Sequence, residues 1–201
     1  MKKMVVLMIV SVCLFVSSVR ADNMQLGILA SGDTVMVDCE YQSAQDFGII
    51  AAGGGFSYAS GEYVLGEGLI AFRSDQLLPG LKYGLGFKGV YGEVDDEHGP
   101  AEATLSALGF LVEASYELTA TMNPVPVPVE AYGALCFSPS PLSFDETEKY
   151  QEYKGGLRFF LLENAFLSLE FKYRRMNFDE PGIGRWKRDD SFLTGGVTLR
   201  F

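Results

Sequence analysis

The segment Phe166 to Phe178, FLSLEFKYRRMNF, places Leu167, Leu169, Phe171 and Tyr173 on one parity and Ser168, Glu170, Lys172 and Arg174 on the other. Successive side chains of a β-strand point to opposite faces, so this stretch predicts a strand with one apolar wall and one charged wall. A helix would mix the two sets around its surface, so the alternation restricts the chain to sheet architectures.

The same division recurs upstream. In LKYGLGFKGVYG, Leu81, Tyr83, Leu85, Phe87 and Tyr91 oppose Lys82 and Lys88; in LGFLVEASYEL, Leu108, Phe110, Val112, Ala114, Tyr116 and Leu118 oppose Glu113 and Glu117. Val129, Ala131, Leu135 and Phe137 oppose Glu130 and Tyr132, and Val35, Val37, Cys39 and Tyr41 oppose Asp38 and Glu40. Tyr153, Leu157 and Phe159 oppose Glu152, Lys154 and Arg158. Between Val64 and Arg73 the split is weaker, with Glu67 and Arg73 against Ile70 and Phe72, and Gln45 to Tyr58 does not resolve into faces. Segments of about ten residues with such patterning, separated by turn signals, identify an all-β chain. Cys39 and Cys136 fall in different strand candidates without metal-ligand spacing, as unpaired small apolar residues or as thiols that an exported protein can oxidise.

Two environments produce this pattern. In a soluble sandwich the apolar faces pack together; in a membrane barrel they meet lipid and the polar faces line the interior. The ends of the chain favour the barrel. Lys2 and Lys3 precede an apolar run from Met4 to Val16, and Val19-Arg20-Ala21 forms a small-residue cleavage site, so residues 1–21 read as a secretory signal peptide and 22–201 as the mature barrel. No later run approaches 18 apolar residues, which excludes a spanning helix. The final strand, ending TGGVTLRF, carries Thr194, Gly196, Leu199 and the aromatic Phe201 in the pattern of an outer-membrane barrel-assembly signal. Removing Lys2, Lys3 and Arg20 leaves 13 basic against 26 acidic residues, a net charge of about −13 that argues against nucleic acid.

Aromatics near the ends of the apolar faces, among them Tyr83, Tyr91, Tyr116, Tyr153 and Tyr173, suit the interfacial girdles of such a barrel. Counting back from Phe201, external loops are expected at 179–189, 138–148 and 95–102, a short periplasmic turn at 162–164, and a long periplasmic connection at 119–128 stiffened by Pro124, Pro126 and Pro128. The count gives a single antiparallel transmembrane β-barrel of ten strands with both termini periplasmic, or eight if the glycine-rich early region pairs differently.

The stretch Phe137 to Glu180, with Leu142-Ser143-Phe144, Tyr150-Gln151-Glu152-Tyr153 and Asn164-Ala165, resembles the YfaZ family of bacterial outer-membrane proteins. The likeness extends through Leu81 to Tyr91 and to Leu199-Arg200-Phe201. It implies a Gram-negative outer-membrane barrel and supplies no catalytic residues.

If the barrel is right, its lumen is lined by Asp38, Glu40, Glu67, Glu113, Glu117, Glu130, Glu152 and Glu170 against Arg73, Lys82, Lys88, Lys154, Arg158, Lys172 and Arg174. Eight acids nearly cancel seven bases, the composition expected of an ion-pair network filling a narrow interior. The expected role is a structural or interaction barrel with a largely charge-filled lumen; a narrow porin-like channel for small hydrophilic solutes is the second reading. An outer-membrane enzyme is a distant third, because the lone His98 sits in an acidic loop, Asp95-Asp96-Glu97-His98, with no evident Ser nucleophile.

Arg185, Trp186, Lys187 and Arg188 form a basic-aromatic cluster suited to lipopolysaccharide phosphates. The acidic loops lack the spacing of a calcium loop, so no metal and no cofactor are assigned. The partners expected are outer-membrane lipid, lipopolysaccharide, the barrel assembly machinery during biogenesis and, for a channel, small solutes.

Overall fold

The computed structural model describes residues 24–96, 102–118 and 126–201, so the signal-peptide segment and the Glu97-His98 pair lie outside the described residues. Eleven strands follow in chain order: β1 (Met24–Ala30), β2 (Thr34–Gln45), β3 (Gly48–Ala59), β4 (Tyr63–Leu78), β5 (Leu81–Asp95), β6 (Glu102–Glu117), β7 (Val129–Ser138), β8 (Ser143–Asp145), β9 (Thr147–Leu162), β10 (Ala165–Glu180) and β11 (Gly184–Arg200). Every pairing is antiparallel, and β5 pairs with β6 while β1 pairs with β11, which closes the sheet. The result is a ten-stranded barrel, because the three-residue β8 continues the wall position of β7 against β6 beyond a 3-10 turn at Ser140–Leu142. Closure leaves no free sheet edge. At the seam the backbones of Phe201 and Met24 exchange hydrogen bonds of 2.8 and 3.2 Å.

Strand parity follows the sequence reading. Leu85, Phe87, Phe110, Val112, Leu135, Leu167, Phe171 and Val197 all face out in a continuous apolar belt, with Leu85 61% exposed. Glycine-rich β3 also resolves into faces. Ile50, Ala52, Phe56 and Tyr58 face out while Ile49, Ala51, Gly53, Gly55 and Ser57 face in. Its pattern is unreadable from sequence because the inward residues are small on purpose of fit: Gly55 lies opposite Asp38, Gly53 opposite Glu40, and Gly27 of β1 opposite Asp38 from the other side. A Cβ on Gly27 would stand 2.5 Å from Asp38 Oδ1.

Two expected loops prove to be folded structure. Residues 179–189 are not a long loop: β10 and β11 run on to Glu180 and Gly184, and the turn between them is closed by Gly182 and Gly184 at φ 92° and 99°, a region favoured by glycine. Residues 138–148 contain the 3-10 turn and β8, and side chains complete the ladder beside them. The backbone N–H of Thr104 donates to Glu146 at 2.6 Å and that of Ser106 to Thr147 Oγ1 at 2.8 Å. The short turn expected at 162–164 is present, with Leu162 ending β9 and Ala165 opening β10, while most of the connection expected at 119–128 lies outside the described residues.

Strands β4 to β6 and β9 to β11 have 15 to 17 residues. A tilted strand needs only about 9–11 to cross a bilayer. The excess lies at the hairpin end, away from the seam of the termini, and there the polarity of the wall reverses. On β10 the outward residues change from Leu167, Leu169, Phe171 and Tyr173 to Arg175, Asn177 and Asp179, while the inward ones change from Ser168, Glu170, Lys172 and Arg174 to Met176 and Phe178. On β6 the outward Leu108, Phe110 and Val112 give way to Ser106 and Thr104, and the inward set becomes Ala107, Leu105 and Ala103. The lower barrel is apolar outside and charged inside; the upper collar is apolar inside and polar outside.

Backbones approach closely within this collar. A Cβ added to Gly92 would overlap the carbonyl oxygen of Val64, whereas Gly89 has nothing within 4 Å. Gly92→Ala is therefore expected to cost about 1–3 kcal/mol as overpacking. Denaturant titration of the refolded barrel, with Gly89→Ala as the near-neutral comparison, checks this.

Candidate functional site: a charged lumen beneath an apolar plug

Three networks of ion pairs occupy the lower barrel. Nearest the reversal, Lys88 of β5 reaches Glu67 of β4 at 2.6 Å and Glu152 of β9 at 2.7 Å. Arg174 of β10, fully buried, bonds Glu152 at 3.0 Å and also pairs with Glu67, while Tyr150 Oη donates to Glu152 at 2.8 Å. Two carboxylates thus face two cations across the whole width of the lumen. Taking these charges from water is costly, and only such mutual pairing with additional hydrogen bonds offsets it.

The second network is centred on Arg73 of β4, whose guanidinium grips Glu40 of β2 at 2.5 and 2.7 Å and Glu113 of β6 at 2.5 Å. The fork of a guanidinium suits this bidentate grip, and the inward glycines of β3 leave it room. The third lies towards the terminal end, where Arg158 meets Glu130 at 2.6 Å, Lys82 meets Glu117 at 2.8 Å, and Tyr132 donates to Glu170 at 2.8 Å. The fifteen acids and bases read as interior from sequence all occupy interior parities, with Lys82 and Glu117 at the more exposed rim.

Between these networks lies a cavity of about 590 Å³. Its lining runs from Glu67, Lys88 and Glu152 down to Gln42, Asp46, Asp75 and Arg200 at the terminal rim. Asp38, Lys154, Lys172 and Glu170 share its wall.

Above the Lys88 and Arg174 layer the collar interior is apolar. Tyr63, Leu65, Val94, Leu105, Tyr150, Met176 and Phe178 are buried there in one cluster against Trp186, whose ring stacks on Phe178 at 4.3 Å. Arg188 spans the same mouth: from β11 it donates to the carbonyl of Asp95 at 2.7 Å, and it pairs with Glu62 at 2.9 Å and Asp190 at 3.0 Å. Glu62 precedes β4 and Asp95 ends β5, so one side chain ties opposite parts of the wall together.

The four residues of the basic-aromatic cluster do not form one patch. Trp186 and Arg188 point inward into this plug, while Arg185 and Lys187 point outward, paired to Asp179 and Asp189 at 3.2 Å. Of the terminal motif, Thr194 is buried and Gly196 faces the interior, whereas Leu199 and Phe201 are exposed. Cys39 faces out and Cys136 in, on separate strands, and both thiols are free. Sequence reasoning missed the plug, although β10 carries its signal: apolar residues move from odd positions, ending at Tyr173, to even ones at Met176 and Phe178.

No family model matches this chain, and neither does any curated protein. Among solved structures it is similar to the NanC porin, at 9% identity over 89% of this chain and 99% of that one, TM-score 0.43. It is also similar to the beta domain of the Bordetella autotransporter BrkA, at 14% identity over 90% and 100% of the two chains, TM-score 0.40. A third similarity is to the CymD monoaromatic hydrocarbon channel, at 11% identity over 90% of this chain and 67% of that one, TM-score 0.37.

Proposed function

We propose that this chain is an outer-membrane β-barrel of YfaZ type with a structural or interaction role, whose lumen is closed at the external end and does not conduct. The observation that carries this reading is the apolar plug across the collar, from Leu65 and Leu105 to Phe178 and Trp186, strapped by Arg188. Ions crossing it would shed hydration into hydrocarbon, and the Lys88–Glu67–Glu152–Arg174 layer below closes the remaining width.

Membrane placement is supported by the outward belt, which in water would be an apolar surface far larger than monomeric proteins expose. Orientation is supported by the connections: apart from 118–128, those on the terminal side are two-residue turns, at 46–47, 79–80 and 163–164, while those on the other side have three or more residues. Short turns belong to the periplasmic side. Arg185 and Lys187, outward above the belt, are the residues placed to meet lipopolysaccharide phosphates, and Thr194, Gly196, Leu199 and Phe201 present the assembly signal at the closing strand.

The second reading, a narrow solute channel, draws on the 590 Å³ cavity. Single-channel recording in planar bilayers separates the two. The expected result is an inserted barrel with no steady conductance; reproducible unitary steps from the unmodified protein would replace the closed barrel with a channel.

A further inference from the structure

Of the fifteen interior acids and bases, three make no hydrogen bond to an oxygen or nitrogen atom among the described residues. Lys172, 5% exposed, has its ammonium 3.4 Å from Met36 Sδ and 3.8 Å from the nearest oxygen of Glu170, beyond hydrogen-bonding distance. Lys154 and Asp38 attract one another electrostatically but make no hydrogen bond among the described residues. All three line the cavity, on β10, β9 and β2. Met36 and Asp38 are successive inward residues of β2, separated by about 7 Å, two strand rises, so the ammonium resting on Met36 stands within one small molecule of the Asp38 carboxylate.

We infer that the cavity is a binding site, entered from the terminal end, for a small zwitterion such as an α-amino acid or dipeptide, its carboxylate held by Lys172 and Lys154 and its ammonium by Asp38. This rests on the closed-barrel reading, which makes the lumen a pocket with one mouth. The chemistry follows from charge placement. A simple anion at the lysines would be repelled by Asp38 and Glu170, and a simple cation at Asp38 by the two ammoniums; like charges brought together are penalised in such a site. A zwitterion answers both ends and leaves the balance of the surrounding networks undisturbed. A volume of about 590 Å³ is within the range of small-molecule sites, about 300–1,000 Å³.

Among the described residues, the other cations between the rim and the plug do not offer the same opening. Arg73, Lys88, Arg158 and Arg174 are each already bonded to carboxylates, so displacing them would break a formed pair.

The test is calorimetric titration of the refolded full chain in detergent with glycine and glycylglycine, against acetate, methylammonium and glucose. The expected result is one saturable site for the zwitterions, with acetate and methylammonium at least about tenfold weaker, the value of one charge-assisted hydrogen bond. Asp38→Asn should erase the preference for zwitterion over acetate, and Lys172→Met should weaken glycine by about tenfold or more. Heat-modified gel mobility confirms that each variant is folded, and Lys154→Gln replaces Lys172→Met if that barrel does not form. Equal binding of acetate or glucose, or no saturation by either zwitterion, overturns the site. Because conductance is recorded separately, a silent barrel that binds nothing loses the site and keeps the closed lumen, whereas steady conductance defeats the closed lumen whatever the titration shows.

Discussion

Arg174→Met is expected to destabilise the refolded barrel by about 3–5 kcal/mol, the cost of leaving a buried charge without its partner. Arg174 is fully buried and, with Lys88, makes the direct salt bridges to Glu67 and Glu152 among the described residues. Its removal leaves two carboxylates sharing Lys88. The size of the effect measures the imbalance created rather than the net worth of the bridge, since a balanced apolar replacement of a buried pair is often neutral. The double variant Arg174→Met with Glu67→Gln should therefore recover a substantial part of the loss. Denaturant titration of both, completed as a double-mutant cycle with Glu67→Gln alone, checks this; a single-variant loss below about 1 kcal/mol, the scale of an exposed pair, would show that the layer is solvated.

The charged lumen was legible in the sequence because its signal is local. Each strand states its own parity, and a Lys or Arg turned to lipid near the midplane costs about 2–4 kcal/mol, so Lys172 and Arg174 had one placement available once a barrel was assumed. Which acid meets which base was not legible. Arg73 joins residues 33 and 40 positions away, and those partners are set by barrel closure and register. β3 was illegible for a related reason, since its glycines answer to Asp38 and Glu40 on the neighbouring strand and carry no pattern of their own. The collar was hidden by treating every strand as lying in one environment. That assumption discards Met176 and Phe178 as noise and turns the segment 179–189 into a loop, because the charges on its outward face look like loop composition.

Phe178→Ala gives the most direct reading of the reversed collar. Phe178 is fully buried on β10, stacked on Trp186 and packed in one cluster with Tyr150 and Met176, and truncating a buried Phe costs about 3–5 kcal/mol. Asn177→Ala, one residue away and pointing out from the collar, should cost far less. The contrast also locates the loss. The collar projects beyond the belt, so Phe178→Ala should open the hairpin of β10 and β11 to proteolysis between about 174 and 190 while the lower wall carrying Leu167, Leu169 and Phe171 stays protected. Phe171→Arg reverses the assignment: its side chain faces out of the lower wall, and on the proposed membrane placement the expected cost of about 2–4 kcal/mol falls on insertion rather than on the collar. Were Phe178→Ala and Asn177→Ala equally mild, with the hairpin protected in both, the interior at this level would be wet, and the closure of the lumen would rest on the Lys88 and Arg174 layer alone.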